Sequence, residues 1–476
     1  MRHTKIAAFK PFEGSPRINL CDVFGASPGK PIILRIPVTG KRPITYGAEN
    51  LPDGLVLENG IITGKINLEG KYAVTLTAEN TLGKTKKQVT FEIYPGKILL
   101  SPLMGFTSWN AYGVNVSQEK MLASAKKMVK LGISEYGYSY VNTDSGWQGQ
   151  YGGEFDAVQP NKKFPDIKGM CDEIHAMGLK CGIYSSPMKV CWPYYEEPNS
   201  LLGCTCGEPD ILFGAMNGGI GKIRKEMNNA NQWANWGFDY LKYDWYSTDP
   251  YNAELMRVAL QTQKRDFGFC VTVLASPDYH RYWETYCNSY RCNDDAHGTW
   301  DNLLLVYNSF HSFASYISKG HFFDLDMLDI GTCECPEGQF QLTEDEKIVS
   351  FSLRAMLNSP IQISSKLEYA SEFELSIYCN EEVIAINQDS GFCTPQRLKN
   401  NDNYDTLLHI YKKNLANGDT AYAAFNLSEK EQNVQIKLDK NSSVRDLWAK
   451  ENLGTMESIA IQMQPHTARI FRVSDF

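Results

Sequence analysis

The order of elements in the sequence predicts a multidomain protein, with a central (β/α)8 barrel set between an N-terminal β-sandwich and a C-terminal antiparallel β-sandwich. Three observations predict it. Alternating apolar residues separated by turns dominate residues 1–97; eight short apolar strands then alternate with helical stretches over residues 98–392; and alternating segments without helices return over residues 393–476. At 476 residues the chain is too long for a single hydrophobic core.

The N-terminal strands are carried by "KPIILRIPVTG", "LVLENGIITGKI" and "GKYAVTLTAENTLGKTKKQVTFEIYP". In "KYAVTLTAEN" apolar residues recur at every second position, the pattern of a strand with one buried face. The central strands read as "MGFTSWNAY", "YSYVNTDSGW", "LKCGIYSSP", "FDYLKYDW", "FGFCVTVLAS", "NSYRCNDDA", "FFDLDMLDIG" and "SPIQISSK". Ser117 is the expected N-cap of a helix over 117–132, with Glu119 in its first turn and Gly132 at its close. Eight strands separated by helices over about 290 residues suit a closed TIM barrel better than an open sheet. The C-terminal segments "DTLLHIYKK", "DTAYAAFNLS", "NVQIKLDK" and "TARIFRVSDF" alternate again and read as antiparallel strands.

Composition narrows the function classes. A net charge of −8 argues against a nucleic-acid partner. No stretch reaches the roughly 18 uninterrupted apolar residues of a membrane span, so no membrane insertion is expected. The 26 tyrosines and 9 tryptophans suit stacking on sugar rings, although core packing uses them as well. Thirteen cysteines leave at least one thiol unpaired within the chain. The closest pairs, "CTC" at 204–206 and "CEC" at 333–335, do not have the C-x-x-C spacing of a zinc knuckle, and no metal site is expected.

In a barrel of this kind the active site is built at the C-terminal ends of the strands. Those ends carry Trp109, Asp144, Tyr184, Lys242 with Asp244, Arg291 with Asp294 and Asp295, and Asp324 with Asp326. Carboxylates from four strands around one mouth, with two cations among them, suit glycoside hydrolysis: one carboxylate protonates the leaving oxygen and the other attacks the anomeric carbon or activates water. Acids on solvated loops would fall at unrelated positions, whereas these recur at the ends of apolar strands.

The ordered segments "MGFTSWNAYG", "GYSYVNTDSGW", "IHAMGLKCGIYSSP", "WANWGFDYLKYDW", "YCNSYRCNDDAHGTW" and "DLDMLDIG" closely resemble glycoside hydrolase family 27, the α-galactosidase and α-N-acetylgalactosaminidase family, from about Met104 onward. The resemblance implies a retaining exo-glycosidase that releases terminal α-D-galactosyl residues by double displacement. The family's YLKYD motif puts the nucleophile at Asp244 and a substrate-hydroxyl donor at Lys242. Its general acid/base follows an arginine by four residues and precedes a tryptophan by five, a spacing that Arg291, Asp295 and Trp300 reproduce; Asp294 is the one-residue alternative. The sugar-binding aspartate of the family falls on Asp326, its MGW-x-x-W tryptophan on Trp109, and the tyrosine of its GIY strand on Tyr184. No metal or organic cofactor enters this scheme. The implied partner is a galactose-containing oligosaccharide or polysaccharide, and a homo-oligomer is compatible with it.

Several positions depart from that pattern. Relatives pair two aspartates at the end of the second strand to bind the hydroxyls at C4 and C6; here "TDSGW" keeps Asp144 and places Ser145 second, and a hydroxyl cannot make a carboxylate's charge-assisted bonds. At the fifth strand Ala275 or Ser276 stands where relatives carry Glu or Gln near the C2 substituent. Tyr246 replaces a cysteine that the family commonly bonds to one in the third-strand loop, which leaves Cys191 without that partner, and an insertion over 188–220 lengthens that loop. The alternatives to an α-galactosyl glycone are therefore β-L-arabinopyranose and N-acetylgalactosamine. A non-catalytic carbohydrate-binding protein is a further alternative, against which the presence of both Asp244 and Asp295 stands. The stretch "LPDGLVLENGIITGKINLEGKYAVTLTAEN" resembles the bacterial Ig-like modules with LPxGL, GxIxG and GxYxVxVxAxN, which implies an exported protein, periplasmic or secreted. The opening "MRHTKIAAFKPFEGSP" has no apolar run of a signal peptide, so export requires a signal already removed, and without one the expectation is cytoplasmic.

Overall fold

Eight parallel strands form the centre of the computed structural model: β1 (Met104–Thr107), β2 (Tyr140–Thr143), β3 (Lys180–Ser185), β4 (Tyr240–Thr248), β5 (Gly268–Val273), β6 (Ser289–Arg291), β7 (Phe322–Phe323) and β8 (Ile361–Ile363). They are hydrogen-bonded in the order β7-β6-β5-β4-β3-β2-β1-β8. A parallel bridge between Leu328, beyond β7, and Ile363 closes the ring. The structure describes residues 2–186, 210–212, 215–217, 224–273, 277–293, 295–312, 314–334, 342–399 and 407–475. The 188–220 insertion, apart from six of its residues, lies outside them, as do Cys191, Asp294, Ala275, Ser276 and the side chain of Tyr246.

Helices return the chain from each strand to the next: α1 (Gln118–Lys130), α2 (Ile167–Ala176), α3 (Glu226–Trp236), α4 (Pro250–Gln261), α5 (His280–Tyr286), α6 (Trp300–Ser309), α7 (Glu344–Met356), and α8 (Glu372–Tyr378) with α9 (Glu381–Asn387) after β8. The reasons are local. At α1 the Ser117 hydroxyl accepts from Lys120 N at 3.3 Å, as expected of the cap, and Met121, Ala125 and Met128 form the buried face at helical spacing. Lys127 and Lys130 lie in its last turn, where the helix dipole favours cations. At α7 and α8 the caps are reciprocal, Thr343 with Glu346 and Ser371 with Glu374.

The N-terminal sandwich has a four-stranded sheet (Val23–Ala26, Gly83–Ile93, Gly70–Asn80 and Thr45–Glu49) and a three-stranded sheet (Ile32–Arg35, Ile61–Gly64 and Leu55–Glu58) around its own core, which includes Leu34, Ile62, Val74, Leu76, Val89 and Phe91. It docks on the barrel end from which the strands start. Arg35 donates to Met177 O at 3.0 Å just before β3, Asn19 to Glu135 O at 2.7 Å before β2, and Asp266 before β5 accepts from Ser27 N at 2.7 Å. This is the floor of the barrel, opposite the strand ends that carry the charged residues.

The C-terminal strands form one six-stranded antiparallel sheet in the order Gln396–Leu398, Leu408–Asn414, Thr420–Asn426, Thr467–Ser474, Gln432–Asp446, Glu451–Met463. Alternation divides its faces. Leu408, Ile410, Tyr422, Ala424 and Phe471 share a core with Val434, Ile436 and Ile459, while Tyr411, Ala421, Ala423, Phe425 and Ile470 join the core of the barrel. Among the described residues no helix is long and apolar enough to cross a membrane.

Candidate active site

Residues two apart on a strand face the same side, which places Lys242 and Asp244 of β4 together and buries Tyr243 among the barrel's outer packing. Both charges are nearly enclosed, with side-chain exposures of 12% and 10%. They are matched. Lys242 Nζ donates to Asp144 Oδ2 at 2.9 Å and lies 3.7 Å from Asp244 Oδ2. Although burial alone opposes a buried charge, Asp144 and Asp244 hold the Lys242 ammonium well above its ordinary range.

Arg291, the last residue of β6, gathers the carboxylates. Its Nη2 donates to Asp244 Oδ1 and to Asp295 Oδ1, each at 2.7 Å, its Nη1 to Asp326 Oδ2 at 2.8 Å, and its Nε to Thr272 Oγ1 at 3.1 Å. Thr272 stands opposite Arg291 in the β5–β6 register and donates its hydroxyl to Asp244 Oδ1. The rigid fork of a guanidinium suits such multiple recognition.

The two principal carboxyls are pushed in opposite directions. Burial raises both, but Arg291 and Lys242 outweigh it at Asp244 and hold that carboxyl well below the usual carboxylate range. At Asp295 burial prevails over Arg291 with help from Asp244 and Asp326, so its carboxyl is raised. Asp295 is also the accessible one, 37% exposed against 10% for Asp244. Divergent environments for two neighbouring acids are the usual preparation for acid and base roles.

Asp326 comes from an irregular segment that leaves β7 after only two residues, so the long strand expected over "FFDLDMLDIG" is broken. Its backbone is left-handed, φ 61°, and is held by Asp324 Oδ1 on its N–H at 2.8 Å. Buried Arg354 of α7 donates through Nη2 to the carbonyls of Leu325, Asp326 and Met327 at 2.9, 3.2 and 2.7 Å. The strained residue is thereby fixed from both sides. Asp324 itself is buried below the mouth, where Cys270 Sγ donates to it at 3.5 Å and burial raises its carboxyl to about 6.

Asp144 and Ser145 follow β2 and are buried. Asp144 Oδ1 accepts from Ser145 N at 2.8 Å, and Gln148 Nε2 donates to Ser145 Oγ at 3.4 Å. The Tyr184 ring lies 5.8 Å from Lys242 Nζ, and its carbonyl accepts from Trp147 Nε1 at 3.0 Å. Trp109 opens a short helical turn, Trp109–Tyr112, after β1 instead of extending it, and among the described residues its buried Nε1 has no hydrogen-bond partner. Lys242, Asp244, Arg291, Asp295, Asp326, Asp144, Ser145 and Tyr184 are thus linked by direct contacts, whereas for Trp109 the link is its position at an adjacent strand end. Trp300 is elsewhere: at the start of α6 it stacks on His466, in the turn before the last strand of the C-terminal sheet, with centroids 4.1 Å apart. Sequence reading missed Thr272. The signal lies in the register and not in the sequence: the parallel pairing of Lys242 with Cys270 puts Cys270 and Thr272 on the same inner face as Lys242 and Asp244.

A barrel whose strand ends bring paired carboxyls and two cations together among the described residues has the arrangement of a glycosidase. The chain belongs to the α-galactosidase family, glycoside hydrolase family 27: the model described as "Alpha galactosidase A" matches residues 102–200 and 210–389. The α-galactosidase C-terminal β-sandwich model matches 405–473, and an Ig-domain model matches 17–94. Alpha-galactosidase A of Cellvibrio japonicus is 29% identical, over 79% of this chain and 92% of that protein. A solved protein of Bacteroides fragilis, 27% identical, superposes with a TM-score of 0.86 over 98% of this chain and 100% of the other, so it shares all three parts. Alpha-galactosidase I of Mortierella vinacea, 25% identical, covers 80% of this chain and 98% of its own with a TM-score of 0.66.

Proposed function

We propose that the chain is a retaining exo-glycosidase that releases terminal α-D-galactosyl residues, with Asp244 as nucleophile and Asp295 as general acid and base. The catalytic unit spans residues 98–392, between an Ig-like module at 1–97 and a C-terminal sandwich at 393–476. The observation that carries the mechanism is the shared nitrogen of Arg291. Because Nη2 lies 2.7 Å from an oxygen of each carboxylate, the nearest oxygens are no farther apart than twice that distance. Two carboxyls bridged by one nitrogen fit the close pair of retaining enzymes, about 5–5.5 Å apart, better than the roughly 6.5–9.5 Å that an inverting enzyme leaves for water.

The electrostatics agree with the roles. A nucleophile must be ionised, which Arg291 and Lys242 favour at Asp244, and an acid must hold its proton, which burial and neighbouring carboxylates favour at Asp295. Asp244 attacks the anomeric carbon while Asp295 protonates the departing oxygen; Asp295 then takes a proton from the water that releases the sugar. Lys242, Asp144, Ser145 and Asp326 are assigned to the sugar hydroxyls, Arg291 to the shared carboxylates and the ring, and Trp109 and Tyr184 to the faces of the glycone. The α-galactosyl glycone is supported by the relatives named above, and a galactose-containing oligosaccharide or polysaccharide is the partner.

Nitrophenyl α-galactopyranoside, β-L-arabinopyranoside and α-N-acetylgalactosaminide, assayed side by side, test the glycone. The galactoside is expected to be turned over fastest, and a faster arabinoside would overturn that assignment. Asp244→Asn is expected to abolish turnover while galactose binding, read by calorimetry, survives; undiminished hydrolysis would refute the nucleophile.

A further inference from the structure

Thr272 lies between the two groups that define the nucleophile, yet the reaction as described gives it nothing to do. Its hydroxyl donates to Asp244 Oδ1 and accepts from Arg291 Nε at 3.1 Å. A guanidinium N–H can only donate, so the hydroxyl turns a lone pair to Nε and its single proton is committed to Oδ1. Arg291 Nη2 adds a second donor to the same oxygen at 2.7 Å. Asp244 Oδ2 is in a different position: among the described residues it faces only the Lys242 ammonium, at 3.7 Å. Two donors occupy one oxygen, and the other keeps its lone pairs.

We propose that Thr272 is a positioning residue that reserves Oδ2 of Asp244 as the attacking atom and, through Oδ1, favours breakdown of the glycosyl-enzyme. The inference rests on Asp244 being the nucleophile. In the first step an Oδ2 lone pair forms the bond to the anomeric carbon as the bond from that carbon to the glycosidic oxygen breaks. The electron pair of the broken bond stays on that oxygen, which takes the proton of Asp295. Oδ1 is then the carbonyl oxygen of an ester. In the second step the water oxygen bonds to the anomeric carbon and gives its proton to Asp295, while the carbon–Oδ2 electron pair returns to Asp244. Negative charge reappears on the carboxylate, and a hydrogen bond to a charged acceptor is stronger than one to an ester carbonyl. Thr272 therefore stabilises the departing carboxylate more than the ester, and its benefit falls on hydrolysis of the intermediate and not on its formation.

Thr272→Val removes the hydroxyl and keeps the branched shape. On nitrophenyl α-galactoside kcat is expected to fall about tenfold and KM to fall with it, leaving kcat/KM within about threefold, because a charge-assisted hydrogen bond is lost from the second step alone. Rapid mixing should then show a burst of nitrophenol, and intact-mass analysis of the quenched enzyme a glycosyl adduct. Thr272→Ser, which restores the hydroxyl, should restore wild-type kinetics. Should the valine variant fail to fold, Thr272→Ala is read in the same way. A fall in kcat at unchanged KM without a burst, or wild-type kinetics in a variant lacking the hydroxyl, overturns the inference. Asp244→Asn measured in parallel separates the two claims: if it still turns over substrate the nucleophile assignment fails, and if it is inert while Thr272→Val behaves as wild type, only the role of Thr272 fails.

Discussion

Arg291 is 5% exposed and touches two carboxylates that belong to opposite halves of the proposed reaction, a third proposed to hold the sugar, and a hydroxyl. No compact ammonium can reproduce four contacts fixed in one plane. Arg291→Lys keeps the charge and loses the fork, so kcat/KM is expected to drop by about 10- to 100-fold, the equivalent of one charge-assisted hydrogen bond, with little change in melting temperature. Kinetics and thermal melting on the same preparation check both halves of that statement. The same residue explains why neighbouring acids differ. Asp244 accepts from the guanidinium and from Thr272 and lies beside Lys242, whereas Asp295 shares only one of those donors and stands in the field of Asp244 and Asp326. Ser145 is a contrasting residue: its N–H is spent on Asp144 Oδ1 and its hydroxyl accepts from Gln148, so this pair arranges Asp144 from within.

At the scale of the element, what was legible in the sequence followed periodicity and capping. The α1 cap at Ser117, the strands β1 to β6, and the pairing of Lys242 with Asp244 on one face follow from local rules that tertiary context did not override. Where expectation and structure part, the cause is not local. The strand after His321 stops at Phe323 because buried Arg354, 28 residues beyond Asp326, draws three successive carbonyls toward itself, a demand that no window of adjacent residues displays. Thr272 was passed over for the same kind of reason: an uncharged residue inside an apolar strand gains meaning only from its register with Arg291. Caps also set local stability. Ser371→Ala removes one side-chain acceptor from the start of α8 and should cost about 1 kcal/mol. Asn380, the cap of α9, accepts from Glu382 N and Val383 N and also donates to Leu447 O at 3.0 Å, across to the C-terminal sheet. Asn380→Ala should therefore cost more, about 2 kcal/mol, read as a lower urea midpoint at unchanged slope.

At the scale of the whole molecule, the Ig-like module rests on the barrel floor, away from the described residues at the mouth; its lysine and arginine contacts, such as Lys30 with Asp266 at 3.3 Å, secure it to the far side. A second seam, between barrel and C-terminal sheet, encloses Lys413, whose Nζ donates to Ile386 O at 2.6 Å and to Asn358 Oδ1; among the described residues no carboxylate is ion-paired with it, and Asp389 acts on it only from a distance. Burial lowers its ammonium from 10.5 to about 7. The folded value lies below the unfolded one, so between them the unfolded chain binds more protons and stability rises with pH across that window. Wild type should gain up to about 1.4 kcal/mol per pH unit there from this group, and Lys413→Met should lack the gain; urea titrations near pH 7 and in the middle of the window measure the difference.

The shared core at that seam has a consequence for how the protein is made. The Ig-like module encloses its own apolar residues and has all it needs once its last strand, ending at Ile93, has left the ribosome. The barrel does not, because its packing is completed by Tyr411, Phe425 and Ile470 and by the Trp448 indole donating to Ser352 of α7 at 2.9 Å. Strand Thr467–Ser474 follows every residue of the proposed active site in the chain, and it lies between Thr420–Asn426 and Gln432–Asp446. A nascent chain interrupted before that strand therefore carries every residue of the proposed active site and still lacks the wall that holds the barrel shut. The residues of the active site are thus complete in the chain before the core that supports them is.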